Sequence, residues 1–359
     1  MRDVLVPLAI DPAPAPPGSR PLALSGTAMG SGWSVRLMQP AGAGATDAAD
    51  LRAALQAELD MVVAQMSHWD ETSLLMRYNR APAGSWHDLP APFFEVMDYA
   101  LWVHEASAGA YDPAAGALVD LWGFGAAGRY DQAGFYAPAP AAVHAVLAQR
   151  RAAAPVLDRA ARRLYQPGGA RLDLSAVAKG YAVDRLALCL ERHGVRHYLA
   201  EAGGELRGAG VKADGQPWWV EVEGVPDGGG DDGQDGAAGS ETGTAAPPAP
   251  LLALHGLAVA TSGDYRRYYR CPDSHRRRSH TLDPRSGQPI ANGVASVTVL
   301  APACMAADAL STALTVMGPL AGLAFAEARG VAARFLLRAE APGAPLSAVT
   351  SSAWRALLQ

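Results

Sequence analysis

The run Leu172-Asp173-Leu174-Ser175-Ala176-Val177-Ala178-Lys179-Gly180-Tyr181-Ala182-Val183-Asp184 constrains the fold most tightly. Leu172 to Leu174 reads as the end of a short buried strand. Ser175 is a favoured N-cap, and Val183, Leu186 and Leu190 follow at helical spacing on one stripe. The chain must therefore build a strand–turn–helix unit against an apolar neighbour. Lys179 lies one turn before Val183, near the helix mouth, where the dipole favours acids over bases. Gly180 admits close approach to the backbone. These features suit an anionic ligand, phosphate above all. A plain βα unit whose lysine snorkels to water fits the same residues.

Half of the 359 residues are hydrophobic (50%), enough to core one large domain or two ordinary ones. A formal net charge of -5 argues against a broad nucleic-acid face. The local exception, Arg266 to Arg278, reads as a solvated face or a diphosphate-facing loop. Cys189, Cys271 and Cys304 are odd in number and form no CxxC pair, so neither a disulfide framework nor a zinc site is expected. Cys189 reads as a small buried apolar residue. Residues 1–20 form an N-terminal extension without the basic and apolar regions of a signal peptide, and no lipid-accepting cysteine is near. A cytoplasmic location is expected for the chain as given, and a periplasmic one if a leader precedes it. No apolar run is expected to span a bilayer.

Strands Pro21–Leu24 and Trp33–Leu37 flank Ser25–Gly32, a glycine and hydroxyl loop that reads as a ligand-facing hairpin or an ordinary turn. Asp47–Met66 is a helix carrying Leu51, Leu55, Leu59 and Val62 on one stripe, and a short helix starts near Thr72. Trp69, in a polar connection, either stacks on a planar ligand or closes a core edge. Pro92–Ser107 is a helix ending in the turn Gly109-Ala110-Tyr111-Asp112-Pro113. Gly116–Gly125 is too apolar for a linker and too glycine-rich for a regular element. A helix over Ala139–Ala153 and two short strands within Arg163–Leu174 follow. Strands His197–Glu201 and Trp218–Val222 come next, the first running into Gly203-Gly204. Pro226–Pro250 has almost no large apolar residue and reads as a disordered surface insertion. Leu252–Thr261 resembles a hairpin, and Ala295–Leu300 alternates as a strand. Ala307 opens a helix on which Asp308, Ser311 and Thr312 share a face. One carboxylate and two hydroxyls suit Mg²⁺, or form an ordinary polar helix face. Gly318-Pro319 ends that helix, before a helix Pro319–Ala328, a strand Ala333–Arg338 and a tail over 346–359.

These pieces resemble the ApbE family of FAD:protein FMN transferases, in family order and over roughly residues 22–338. The matching motifs are Gly26-Thr27-Ala28-Met29-Gly30, Met66-Ser67-His68-Trp69 with Ser73 and Tyr78-Asn79, Gly109-Ala110-Tyr111-Asp112-Pro113, and Leu121-Trp122-Gly123-Phe124-Gly125. They continue through Asp173-Leu174-Ser175-Ala176 with Lys179-Gly180-Tyr181, Gly203-Gly204, Ala260-Thr261-Ser262-Gly263-Asp264-Tyr265, His280 with Asp283-Pro284 and Gly287, and Ala307-Asp308 with Thr312-Ala313. Departures are few. Thr281 replaces the usual branched apolar residue after His280, Ser175 stands where many members have Gly, and Ser311 occupies a position that varies.

The resemblance implies an α+β fold of the T-fold type over 21–345, with mixed and antiparallel sheets and FAD in a cleft. It implies Mg²⁺-dependent cleavage of the FAD diphosphate, passage of FMN to a Thr or Ser hydroxyl of an acceptor protein, and release of AMP. An electron-transport subunit suits the acceptor. Carried over by motif, Met29, Trp69, Ala110, Tyr111, Asp112, Asp173, Lys179 and Thr281 would contact FAD. Ala176, by its carbonyl, with Asp308, Ser311 and Thr312 would hold Mg²⁺. His280 and Asp308 would be catalytic, His280 as a base for the incoming hydroxyl. Two other readings use the same scaffold: an FAD pyrophosphatase with water as acceptor, and a non-catalytic flavin carrier. A carrier needs no metal at the diphosphate, so Asp308, Thr312 and His280 argue against it.

Overall fold

Trp33, Val35 and Leu37 alternate along one strand and bury one face, as the two-residue period of a strand requires. In the computed structural model they belong to an eight-stranded sheet. The structure describes all residues except 1, 11–12, 42–45, 127–128, 133, 223, 226–246, 266–267, 271–276 and 340–343. The elements begin with β1 (Val4–Leu5), β2 (Arg20–Ala28), β3 (Ser31–Gln39), α1 (Ala48–Met66), α2 (Leu74–Asn79), β4 (Ser85–Asp88), α3 (Ala91–Ala106), α4 (Gly116–Leu121) and α5 (Pro140–Ala152). Next come β5 (Val156–Asp158), β6 (Arg163–Gln166), α6 (Ala178–Arg192), β7 (Tyr198–Ala202), β8 (Glu205–Ala209), β9 (Trp218–Glu221), β10 (Leu251–Leu254) and β11 (Leu257–Gly263). The last are β12 (Tyr268–Arg270), β13 (Arg277–Ser279), β14 (Leu282–Asp283), β15 (Gln288–Pro289), β16 (Val294–Ala301), α7 (Cys304–Arg329), β17 (Ala332–Leu337), β18 (Ser347–Thr350) and α8 (Ser352–Arg355).

The large sheet is antiparallel throughout, in the order β18-β17-β16-β11-β8-β7-β3-β2. One face carries the main core, where α6 packs on α1 and α7, and α7 packs on β11 and β16. Along β11, Ala258 and Ala260 point into that core, while Val259 faces a second cluster with Leu5, Leu252, Leu300 and Trp354. The sheet β1-β10-β9 and α8 close this second face. The small sheet β4-β6-β5 is not hydrogen-bonded to either sheet, and its Leu164 joins the main core.

The α+β class agrees with the sequence reading, and several local expectations do not. Leu172 to Leu174 form no strand. The side chain of Asn79 takes the partner strand's place, accepting from the Leu172 N–H at 2.7 Å and donating to its carbonyl at 2.9 Å. Ser175 is not the N-cap, because α6 starts at Ala178 after a turn held by Asp173, which accepts from the Ser175 N–H at 2.8 Å. Only β6 lies within Arg163–Leu174; its partner β5 precedes it. Gly116–Leu121 is helical, with Gly116 against the carbonyls of Arg171 and Leu172, where a Cβ would sit at 2.8–2.9 Å. The 25–32 loop is a two-residue turn at Met29-Gly30, both at positive φ (53° and 72°), with β2 and β3 running up to it. Strands β10 and β11 lie in different sheets instead of pairing as a hairpin.

Residues 347–355, expected as a tail, add β18 to the sheet and bury Trp354 completely. The N-terminal extension contributes β1, parallel to β10, and buries Leu5. The expected insertion lies largely outside the described residues, as does Cys271. Contrary to expectation, α7 is long and apolar enough to match a bilayer. It is mostly buried within the core and is broken at Gly318 (φ 79°, ψ 177°), before Pro319.

Candidate functional site

Two hairpin tips, Met29-Gly30 and Gly203-Gly204, lie at one end of the large sheet, with the Gly203 N–H donating to the Gly32 carbonyl. The same end receives the C-terminal end of β11 and the mouth of α6. Lys179, in the first turn of α6, is ion-paired through its ammonium to Glu205, the first residue of β8. Glu205 is 3% exposed, and its Oε2 is buried without a hydrogen-bond partner. Burial pushes its carboxyl up to about 7, against the pull of Lys179 and with the repulsion of Asp308. Burial also opposes the Lys179 charge, but the Asp308 and Glu205 carboxylates outweigh it and hold the ammonium above the ordinary lysine range.

Asp308 is buried in α7, and its Oδ2 accepts from the Gly180 N–H at 2.9 Å. Burial raises its carboxyl, opposed by Lys179 and the Gly180 N–H. A Cβ on Gly180 would lie 2.3 Å from the Cys304 carbonyl oxygen and 2.7 Å from Asp308 Cβ. The close approach read from Gly180 is therefore real, but what approaches is α7. The same junction is held by Asp184, which accepts from the N–H groups of Cys304 and Met305, each at 2.9 Å, and from Arg207 at 2.6 Å. Helix α7 has no cap from its own Ala303 and receives one from α6 instead.

On α7, Ser311 and Thr312 meet the hydroxyl of Ser262 on β11, at 2.9 and 2.8 Å. Ser311 also donates to the Asp308 carbonyl at 2.8 Å and is fully buried. Ala176 lies in the turn before α6. Among the described residues no three His, Cys, Asp or Glu side chains converge as a metal site. The donors gathered here are oxygens: one carboxylate and a cluster of hydroxyls, with the turn of Ala176 leading into Gly180, whose N–H binds that carboxylate. That set fits a hard cation such as Mg²⁺ and does not fit zinc.

The expected flavin-side residues fall into two groups. Asp173 and Tyr111 stand close to the charged cluster, and His68, not among the expected contacts, lies beside Asp173. Tyr111 is 3% exposed with an unpartnered hydroxyl, and burial, then Asp308 and Asp173, push its phenol well above the ordinary range. Asp173 Oδ1 lies 3.8 Å from His68 Nδ1, and the His68 ring is 5.0 Å from that of Trp69. Trp69 is 51% exposed, so it does not close the core. Asp112 is spent within the protein: it pairs with Arg150 and accepts from the Ala114 N–H at 2.8 Å. Ala110 is buried beside it. Arg150 also donates to the Pro284 carbonyl at 2.8 Å, tying Asp112 to the Asp283-Pro284 turn.

The second group lies near that turn. The His280 ring stands edge-on to Phe124 at 6.2 Å. Thr281 is buried, its N–H donating to Ser279 Oγ at 3.0 Å and its carbonyl accepting from Ile290. An open concavity of about 590 Å³ at the hairpin tips is lined by Ser25, Ser31, Ser34, Glu201 and Gly203 among others. It touches the charged cluster at Gly203, where a Cβ would lie 3.3 Å from Glu205 Oε2 and 3.6 Å from the Lys179 stem.

The ApbE family profile matches residues 29–335. The chain belongs to the ApbE family. It is 33% identical over 309 residues to an FAD:protein FMN transferase of Klebsiella pneumoniae, covering 85% of this chain and 81% of that one. The Salmonella typhimurium FAD:protein FMN transferase is 33% identical over 316 residues, 87% of this chain and 83% of its own. Among solved structures, apo flavinyl transferase ApbE of Pseudomonas stutzeri superposes with a TM-score of 0.79 at 34% identity, covering 94% of this chain and 97% of that one. The Vibrio cholerae flavin transferase ApbE gives 0.78 at 30%, covering 95% and 100%.

Of the motifs carried over from sequence, those bearing Lys179, Gly180, Ser262, Asp308, Ser311 and Thr312 meet at the α6–α7–β11 junction, while His280 and Thr281 lie by the Asp283-Pro284 turn. Glu205, Ser262 and Asp184 were missed, although Glu205 follows the Gly203-Gly204 motif directly and Ser262 lies inside the Thr261–Tyr265 motif. An acid placed immediately after a paired-glycine turn was the available signal.

Proposed function

We propose that the chain is an FAD:protein FMN transferase, cleaving the FAD diphosphate and passing FMN to a Thr or Ser hydroxyl of an acceptor protein. The observation that carries this reading is the convergence of Lys179, Asp308, Ser311, Thr312 and Ser262 at one sheet end, in a chain of this family. In the reaction the acceptor oxygen attacks the FMN phosphorus, the bond from that phosphorus to the bridging oxygen breaks, and AMP leaves with that oxygen. The acceptor's proton passes to His280 Nδ1 or Nε2. Lys179 sets a fixed positive charge at the helix mouth, where developing negative charge on the diphosphate is stabilised.

Asp308, Thr312 and Ser311, with the Ala176 carbonyl, would hold Mg²⁺, which when bound supplies further positive charge against the diphosphate oxygens. Ser262 fixes the two hydroxyls of that set. Tyr111, Asp173, Trp69 and Met29 bind the flavin half, Ala110 and Asp112 shape its floor, and Thr281 orients the segment bearing His280. The acceptor is a redox or electron-transport subunit.

The test incubates the protein with FAD, Mg²⁺ and candidate acceptor proteins, and weighs the acceptor. A mass gain of one FMN less water, with one AMP released, is the expected result. FMN and AMP with an unmodified acceptor would replace this reading by FAD hydrolysis. In the same assay His280→Ala should cut transfer by roughly 10²- to 10⁴-fold, the span of a positioned base, with FAD affinity unchanged. Wild-type transfer by that variant would remove His280 from the mechanism.

A further inference from the structure

Glu205 leaves the Gly203-Gly204 turn with its side chain only 5% exposed, whereas that of Lys179 is 37% exposed. The carboxylate therefore stands behind the ammonium, on the protein side of the helix mouth. One of its oxygens holds Lys179 Nζ, and the other, Oε2, is buried and unpartnered. A buried acceptor without a donor costs stability, so the pair is not built for stability alone. A lysine on a four-carbon stem is otherwise a mobile point charge.

We propose that Glu205 is a positioning residue for Lys179, fixing the ammonium at the mouth of α6 so that it meets the substrate diphosphate in one geometry. This rests on the transferase reading. Ordering the ammonium before substrate arrives removes an entropic cost from the chemical step. Taking away the Glu205 charge leaves the mouth of α6 more positive, so an anionic substrate binds no worse. The lysine is then no longer held, so the loss falls on turnover. A merely structural role would weaken binding and turnover together.

The test compares wild type with Glu205→Gln, Glu205→Asp, Lys179→Met and the double variant Lys179→Met/Glu205→Gln. FAD affinity is read from flavin fluorescence and turnover from AMP release. We expect Glu205→Gln to bind FAD at least as tightly as wild type while kcat falls roughly 10- to 100-fold, the usual cost of losing a group that orients a functional side chain. Glu205→Asp should recover part of that loss. In the Lys179→Met background, Glu205→Gln should cost nothing further. Wild-type kcat in Glu205→Gln, or losses that multiply in the double variant, would overturn the proposal. If Glu205→Gln does not fold, Glu205→Asp makes the same comparison, with kcat lowered at unchanged affinity. A wild-type protein that binds FAD and releases no AMP would overturn the transferase reading instead. The positioning role would then be judged on binding alone, and a Glu205→Gln variant that loosened FAD as much as Lys179→Met would overturn it.

Discussion

Helix α6 reaches strand β8 through two ion pairs of opposite polarity, and only one of them is complete. Asp184 on α6 meets Arg207 on β8 and also accepts two N–H groups from the first turn of α7. Lys179, five residues earlier, meets Glu205, two residues earlier on β8, and leaves one oxygen of that acid unpaired. The elements are the same and both acids are buried. The difference lies in what each acid faces. Asp184 faces helix ends and spends its lone pairs on them, so it is a joint. Glu205 lies behind Lys179 at the open end of the sheet, buried and with one oxygen unspent. Complete satisfaction marks the pair that holds the fold, and incomplete satisfaction marks the pair at the proposed reaction site.

The largest effect should come from the open end. Asp308→Ala removes the only formal charge among the proposed Mg²⁺ ligands, and we expect Mg²⁺-dependent AMP release to fall by roughly 10³-fold while FAD still binds. Full turnover of this variant at limiting Mg²⁺ would show that the under-satisfied region is not the reaction centre. The complement is Asp184→Ala. It leaves half-buried Arg207 and two helix N–H groups without their shared acceptor, so unfolding free energy should fall by about 3 kcal/mol. Denaturant melts read it directly. If Asp184→Ala is no less stable than Glu205→Gln, the two pairs are not distinct in kind.

A pH series sharpens the same contrast. The folded carboxyl of Glu205 lies near 7, above its ordinary value of 4.5, with burial the main cause and Lys179 from α6 and Asp308 from α7 facing it. An acid with a raised folded value favours the native state in its protonated form. Its contribution is full below about pH 4.5 and is lost as pH rises through about 7. Wild type should therefore lose on the order of 1–3 kcal/mol relative to Glu205→Gln between pH 5 and pH 8. Parallel stability curves for the two proteins would assign no such ionisation to Glu205.

Periodicity made most of the frame legible. The stripe Leu51, Leu55, Leu59 and Val62 and the alternation of Trp33, Val35 and Leu37 each bury as a single face imposes. The broken α7 was readable from Gly318-Pro319. Legibility failed where a tertiary contact replaced a local signal. Asn79 imitates a strand for Leu172, Asp184 caps a helix 120 residues away, and α7 occupies the space that Gly180 leaves. At the site, residues on one helix face were recoverable, because Asp308, Ser311 and Thr312 are spaced to share it. Glu205 and Ser262 each sit at a readable motif, but only the pairing of β8 and β11 brings them to the same end of the sheet.

The smallest expected effect concerns a segment most of which lies outside the described residues. Residues 226–250 are rich in Gly, Ala, Asp and Pro and poor in large apolar side chains. The strands that flank it already meet, since the Val222 N–H donates to the Pro250 carbonyl at 2.9 Å and Glu221 pairs with Leu251 in the β9–β10 ladder. Deleting residues 227–249 would leave 223–226 between those anchors, a length common in hairpins. Loop-closure entropy then changes by about 1.7 kcal/mol, in the stabilising direction. The β9–β10 sheet covers the face of the large sheet opposite α6 and α7, so the charged cluster should not sense the cut. We expect the deletion variant to melt within a few degrees of wild type and to release AMP from FAD at an unchanged rate. A fall in turnover with stability retained would mean that this segment reaches around to the site or to the acceptor protein, and that the far face of the sheet is not separate from the chemistry on the other.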